Sequence, residues 1–139
     1  MRTSTFIEKQ AGIIKDGGIG RGRCASVFAE GDTIFSYGYH YPLLFKVTTP
    51  SGKELMVLNR RGYSVTTSKH IGWCWNSHDV SCELNGERDY NGVILALNTE
   101  HDRITTEMAT KKRKDTGIYR GLEYQLARVN EALTKLEYN

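Results

Sequence analysis

Between residues 60 and 75 this chain gathers basic, hydroxylic and aromatic side chains in one short run. Arg60 and Arg61 lead into Tyr63-Ser64-Val65-Thr66-Thr67-Ser68-Lys69-His70, and Trp73 and Trp75 follow. A hydroxyl of Thr66, Thr67 or Ser68 can cap the unpaired N–H groups of a helix start, and such N–H groups also hold anions. Lys69 and His70 would add charge, and a tryptophan face would add stacking. The chemistry so assembled is the grasp of a phosphate or nucleotide, and it defines no reaction. Capping alone also explains the hydroxyls, so the structural and the ligand-holding readings stand side by side.

Other constellations are weaker. His70, Cys74, His78 and Cys82 follow one another at intervals of four, and two His with two Cys can bind zinc tetrahedrally. Structural zinc sites pair close ligands as Cys-x-x-Cys, which is missing here, so no metal is expected and the cysteines read as small buried residues. A phosphodiesterase or nuclease needs a base and a cation beside the phosphate. His40, His70, His78, Asp79 and Lys69 supply the types, but no motif fixes their geometry. The expectation is a protein that is not an enzyme, with no catalytic residue and no cofactor. Gly18-Ile19-Gly20-Arg21-Gly22-Arg23 fits neither the Walker nor the dinucleotide spacing and reads as a mobile loop, in which Arg21 and Arg23 could close over an anion. Lys111-Lys112-Arg113-Lys114 reads as a solvated corner, or as phosphate contacts that add affinity without sequence preference. Tyr37, Tyr39 and Tyr41 alternate at strand spacing and so share one side, filling a core with His40 outward or offering stacking faces. Trp73 and Trp75 cannot both be buried on one narrow face, which puts at least one near the surface or in an interface.

Short apolar runs separated by turn residues must position these groups. The runs 25–29, 33–37, 43–48 and 54–58 are divided by Glu30-Gly31-Asp32 and Thr49-Pro50-Ser51-Gly52-Lys53, and Asn59-Arg60-Arg61-Gly62 turns into Tyr63-Ser64-Val65. This spacing predicts an antiparallel meander. A short capped helix follows through Trp75, then a half-buried strand at Val80, Cys82 and Leu84 and an apolar strand from Val93 to Leu97. Residues 99–114 are expected to be helical, with Ile104 and Met108 four apart. Tyr119, Leu122, Leu126, Val129, Leu133 and Leu136 are spaced three, four, three, four and three apart, a heptad seam on a helix that Asp115 or Thr116 can cap. That stripe either docks on the sheet or joins two chains. The fold class expected is α+β: a small antiparallel β-meander sheet, a short capped helix and one or two C-terminal amphipathic helices. Its parts are a flexible lead-in (1–22), a β-rich domain (23–98) and a C-terminal helical segment (99–139), packed on the sheet or self-associating.

Bulk properties bound the rest. A chain of 139 residues fits one domain, and its 39% hydrophobic content suits a modest core or one shared with a partner. A net charge of +3 permits nucleic-acid contact and argues against a DNA mimic. Three widely spaced cysteines do not form a disulfide framework. The N-terminus lacks a signal-like apolar run, and no apolar segment has bilayer-spanning length. These features together predict a soluble protein of a reducing cytoplasm with no membrane partner.

Phe35-Ser36-Tyr37-Gly38-Tyr39-His40-Tyr41-Pro42-Leu43, then Leu58-Asn59, then Tyr63 through His70 resemble a small uncharacterised domain of bacteriophage, plasmid and mobile-element hypothetical proteins. That family's pattern is aromatic-Ser-Tyr-Gly-x-His-aromatic-Pro-Leu, a strand pair, and Tyr-Ser-x-Thr-Thr-Ser-Lys/Arg-His. The resemblance spans roughly residues 33–70 and carries over no catalytic residue. It implies an accessory protein of the host bacterial cytoplasm that works by binding. The leading expectation is a host-defence antagonist, anti-CRISPR-like or sequestering a nucleotide signal. Tyr37, His40, Tyr63, Thr66, Thr67, Ser68, Lys69 and His70 would meet at one surface, with Arg60, Arg61 and Trp73 beside them. The partner would be a host protein or nucleoprotein complex, or an anionic nucleotide. A general nucleic-acid binder using Arg60, Arg61, Lys69 and the run from Lys111 to Lys114 is the first alternative, and a small phosphodiesterase the second. A homodimer or higher oligomer through the C-terminal seam is compatible with each.

Overall fold

Turn residues set the sheet. A computed structural model of the chain describes residues 1–62 and 65–138, with Val65, Thr66 and Thr67 described through their backbone. Gly31, at a φ of 66°, turns β2 (Val27–Gly31) into β3 (Thr33–Ser36). Gly52, at a φ of 92°, closes the turn between β4 (Pro42–Thr48) and β5 (Glu54–Asn59). Both positions use backbone freedom that a side chain would restrict. The two-residue turn Ala25-Ser26 joins β1 (Gly20–Cys24) to β2. These five strands pair antiparallel in chain order. After a crossover that contains α2 (Val65–Trp73), β6 (Val80–Cys82) adds parallel to β5, with Val57 opposite Val80. The fold is α+β: an open, mostly antiparallel six-stranded sheet with four helices among the described residues.

The sheet is buried on both faces, as the period of two on β5 requires. Leu55 and Val57 point to a cluster with Phe45, Val47, Val80 and Cys82, roofed by α3 (Tyr90–Ala109) and α4 (Gly117–Lys135). Met56 and Leu58 point to a second cluster with Val27, Ile34 and Leu44, covered by Phe6, Ile7, Ala11 and Ile14 of α1 (Thr3–Lys15). No helix among the described residues is long and apolar enough to cross a membrane.

Several expectations are corrected. The segment 1–22 is no flexible lead-in: α1 buries an apolar face in the core, and Gln10 accepts the Arg21 N–H at 3.0 Å, anchoring β1. The Gly18–Arg23 loop is mostly that strand, since glycine-rich residues with an exposed face can still pair in a hairpin. Val93 to Leu97 belong to α3, because a short apolar run fits a buried helix turn as well as a strand. Asp89 settles the choice by capping the Gly92 N–H at 2.7 Å, and a Cβ at Gly92 would collide with the Glu87 carbonyl. The expected helix over 99–114 therefore starts nearer residue 90 and stops at Ala109.

The C-terminal stripe docks within the chain. Leu122, Val129 and Leu136 are buried beside Leu97 and Ile104, with Leu126 and Leu133 packed against them and Tyr119 half-buried. The surface assigned to self-association is thus largely a core face. Thr116 caps α4 through the Tyr119 N–H at 3.2 Å. Beyond the far end, the Glu137 carboxylate takes the Thr49 hydroxyl at 2.8 Å and the Ser51 N–H at 2.9 Å.

Candidate functional site

His70 joins the two motifs that stand apart in the sequence. It sits on α2 with 2% of its surface exposed. Its Nδ1 lies 2.7 Å from the Ser36 hydroxyl at the end of β3. Its Nε2 lies 3.4 Å from the Ser26 hydroxyl in the β1–β2 turn. The backbone is strained next to each serine: Ala25, just before Ser26, has a φ of 56°, and Tyr37, just after Ser36, has a φ of 69°. A side-chain-bearing residue in that region costs of order 1–3 kcal/mol and persists where its surroundings fix it. Here the Tyr37 N–H donates to the Ser26 carbonyl at 2.6 Å, binding the two strained turns to each other.

Two aromatic rings lie against the imidazole. The centroid of Tyr37 is 5.9 Å from that of His70, and that of Trp73 is 5.5 Å away. Both outer rings are open to solvent, Tyr37 at 51% and Trp73 at 40%. Burial lowers the pKa of His70 below its ordinary 6.5, so at pH 7 the ring is neutral, with one N–H and one lone pair. Either tautomer satisfies both serines: one hydroxyl accepts while the other donates. With Nδ1–H donating to Ser36, Nε2 faces the Ser26 hydroxyl as a base would. The group orienting the ring is then a neutral hydroxyl, which gives an imidazolium none of the support a carboxylate supplies.

The unfolded chain's imidazole titrates near 6.5 and takes a proton before the buried one. Stability is therefore full above that pH and falls as pH drops through it toward the lower folded value. Unfolding free energies from denaturant titrations between about pH 7.5 and about pH 5 should decline, by up to about 1.4 kcal/mol per pH unit for one such ring. His70→Gln should flatten that decline, leaving the part from His78, which is also lowered chiefly by burial. An unchanged slope in the variant would remove His70 as its cause.

The remaining expected site residues divide. Lys69 and Ser68 are exposed on α2, and Thr66 and Thr67 fall within that helix rather than ahead of it. Tyr63 and Ser64, and the side chains of Thr66 and Thr67, lie outside the described residues. His40 is exposed, with its ring close over Gly38. The three tyrosines do not share one side, because the chain leaves the strand after Ser36. Tyr37 is in the strained turn, and Tyr39 packs edge-on to Phe28 and Phe35 and bonds Glu30. Tyr41 is buried, its hydroxyl reaching the carbonyls of Asn59 and Arg61. Both tryptophans are exposed. Arg60 turns away to Ser81 and Glu100, while Arg61 is half-buried with its N–H on Asn59. Arg21 and Arg23 are exposed on β1, the latter with its guanidinium 4.7 Å above Phe28. Lys111, Lys112, Arg113 and Lys114 form the corner between α3 and α4, on the helical layer across the sheet from α1.

The spacing of four from His70 to Cys82 does not converge. Cys74 is in the core cluster under α1, whereas Cys82 is in the cluster under α3 and α4. Burial pushes both thiols up to about 12, and His78 uses Nδ1 on the Cys74 carbonyl at 3.2 Å. Ser26 went unforeseen, since it reaches His70 only through the β1–β2 hairpin, 44 residues away in sequence. No family model, curated protein or solved structure matches this chain.

Proposed function

We propose that this protein works by binding, and that the Tyr37–His70–Trp73 surface receives the base of a nucleotide. One observation carries the reading: two solvent-open rings lie against a buried, neutral imidazole that serines hold at both nitrogens. The rings offer stacking faces, and the exposed Lys69, next to His70 on α2, would supply charge for a phosphate. The neutral orienting hydroxyl and the lowered basicity of His70 favour holding a ligand over turning one over. The resemblance to mobile-element proteins suggests the setting. A phage or plasmid product that captured a nucleotide signal, or occupied the nucleotide-bearing face of a host nucleoprotein, would blunt host defence without chemistry.

The test is a calorimetric titration with a panel of mononucleotides, cyclic dinucleotides and a short single-stranded oligonucleotide. At least one should bind, and Tyr37→Ala and Trp73→Ala should each weaken it by about 5- to 150-fold, the range expected for losing one stacked base. Affinity that survives both substitutions, or a panel without a binder, would sink the proposal. Oligonucleotide binding that falls steeply with salt and depends on Lys111 to Lys114 would favour the general nucleic-acid reading instead.

A further inference from the structure

A second candidate site lies beyond the end of α2. Trp75, His78 and Ser81 form one wall of a cleft, and Arg128, Glu131 and Lys135 of α4 form the other, enclosing about 190 Å³. By liquid volume that holds about six waters, enough for a small molecule. The cleft's charges are mostly committed. Asp79, at its rim, takes Lys15 at 2.9 and 3.0 Å and the Met56 N–H at 2.8 Å. Burial works to raise the pKa of Asp79, yet these contacts and Lys135 outweigh it and hold the carboxyl below its ordinary value. Lys135 donates to the Asp79 carbonyl at 3.2 Å and lies 3.6 Å from Glu131. Ser81 accepts the Arg60 Nε–H at 2.8 Å, which leaves its own O–H to donate.

Arg128 is the exception. Its Nε is sealed from solvent and finds no acceptor, and its guanidinium makes no ion pair among the described residues. A buried donor left unpaired is costly, more so on a charged group, and such groups are rare enough to call for an explanation. A turn of that side chain into the cleft it lines would bring the Nε–H to an oxyanion there, since guanidinium N–H groups bind carboxylate and phosphate oxygens by charge-assisted hydrogen bonds. We propose that this cleft binds a small carboxylate- or phosphate-bearing molecule, with Arg128 as its anchor, the Ser81 hydroxyl as a second donor and Trp75 as its open wall. The two acids do not oppose it, because Asp79 is matched by Lys15 and Glu131 by Lys135. Arg128 is the unmatched charge.

Inorganic phosphate and succinate are suitable probes, because neither carries a ring that the Tyr37–Trp73 surface could stack. Titration of the full chain should give saturable calorimetric heats with at least one probe. The Nε–H resonance of Arg128, identified by its loss in Arg128→Lys, should shift along the same curve. Arg128→Gln should weaken binding about ten-fold or more, and Ser81→Ala should weaken it less. Sodium chloride at matched ionic strength should give neither signal. No saturable response to either probe, a response equal to that of chloride, or unchanged affinity in Arg128→Gln would overturn the proposal. Should Arg128→Gln fail to fold, the Nε–H shift in the unaltered protein decides alone.

Discussion

Arg60→Ala is expected to lower folding stability by about 3–5 kcal/mol, the cost of leaving a buried carboxylate without its counter-ion. Arg60 reaches across β6, with Nε on the Ser81 hydroxyl at 2.8 Å and a terminal nitrogen on Glu100 at 2.7 Å. Glu100 is 4% exposed on α3, and its other oxygen accepts the Glu83 N–H at 3.0 Å. Removing the guanidinium strips that carboxylate of its charge partner and leaves it one backbone donor. Replacing both residues together, Arg60→Met with Glu100→Leu, should recover most of the loss, because no unpaired charge then stays buried. Urea midpoints for the two single variants and the double variant measure the coupling. A loss below about 1 kcal/mol for Arg60→Ala would mean that the pair behaves as a solvated surface bridge.

That ion pair also shows where sequence reading stops. Arg60 stood beside the hydroxyl cluster and looked like a ligand cation, but its partner is 40 residues further on, and no local pattern points there. The hairpins were legible because their turns are written in residue types: Thr49-Pro50-Ser51-Gly52 closes β4 onto β5 whatever surrounds it. β1 was hidden because its Gly and Arg residues mimic a loop and its pairing comes from β2. The run from Val93 to Leu97 was ambiguous by period alone, and only Asp89 and the crowded Gly92 make it helical. At the site, the motifs around Ser36 and His70 each stood out, but their junction did not. Ser36 and His70 are 34 residues apart, and they meet through a strand order that residue types do not encode locally. Ser26 carries no signal at all in its own neighbourhood.

The α4 stripe gives the second large effect. Its heptad spacing is as suitable for a two-chain seam as for a docked helix, so the sequence alone left both open. The structure places Leu122 at 4% exposure and Leu136 at 0%, in one cluster with Phe45, Val57, Val80, Leu97 and Ile104 of the same chain. Leu122→Ala should therefore cost about 2–5 kcal/mol, the transfer term plus the cavity left behind. The loss should be the same at every protein concentration, because the contacts broken are within one chain. A seam between chains would instead make the melting temperature rise with concentration, through mass action on the associated form. Tyr124 and Ile118, 70% and 66% exposed on the same helix, serve as controls. Alanine at either should change stability by less than about 0.5 kcal/mol. Thermal melts at two concentrations a hundred-fold apart would separate the outcomes. A concentration-dependent midpoint abolished by Tyr124→Ala would move self-association to the outer face of α4, while the same dependence abolished by Leu122→Ala alone would overturn the docked-helix account.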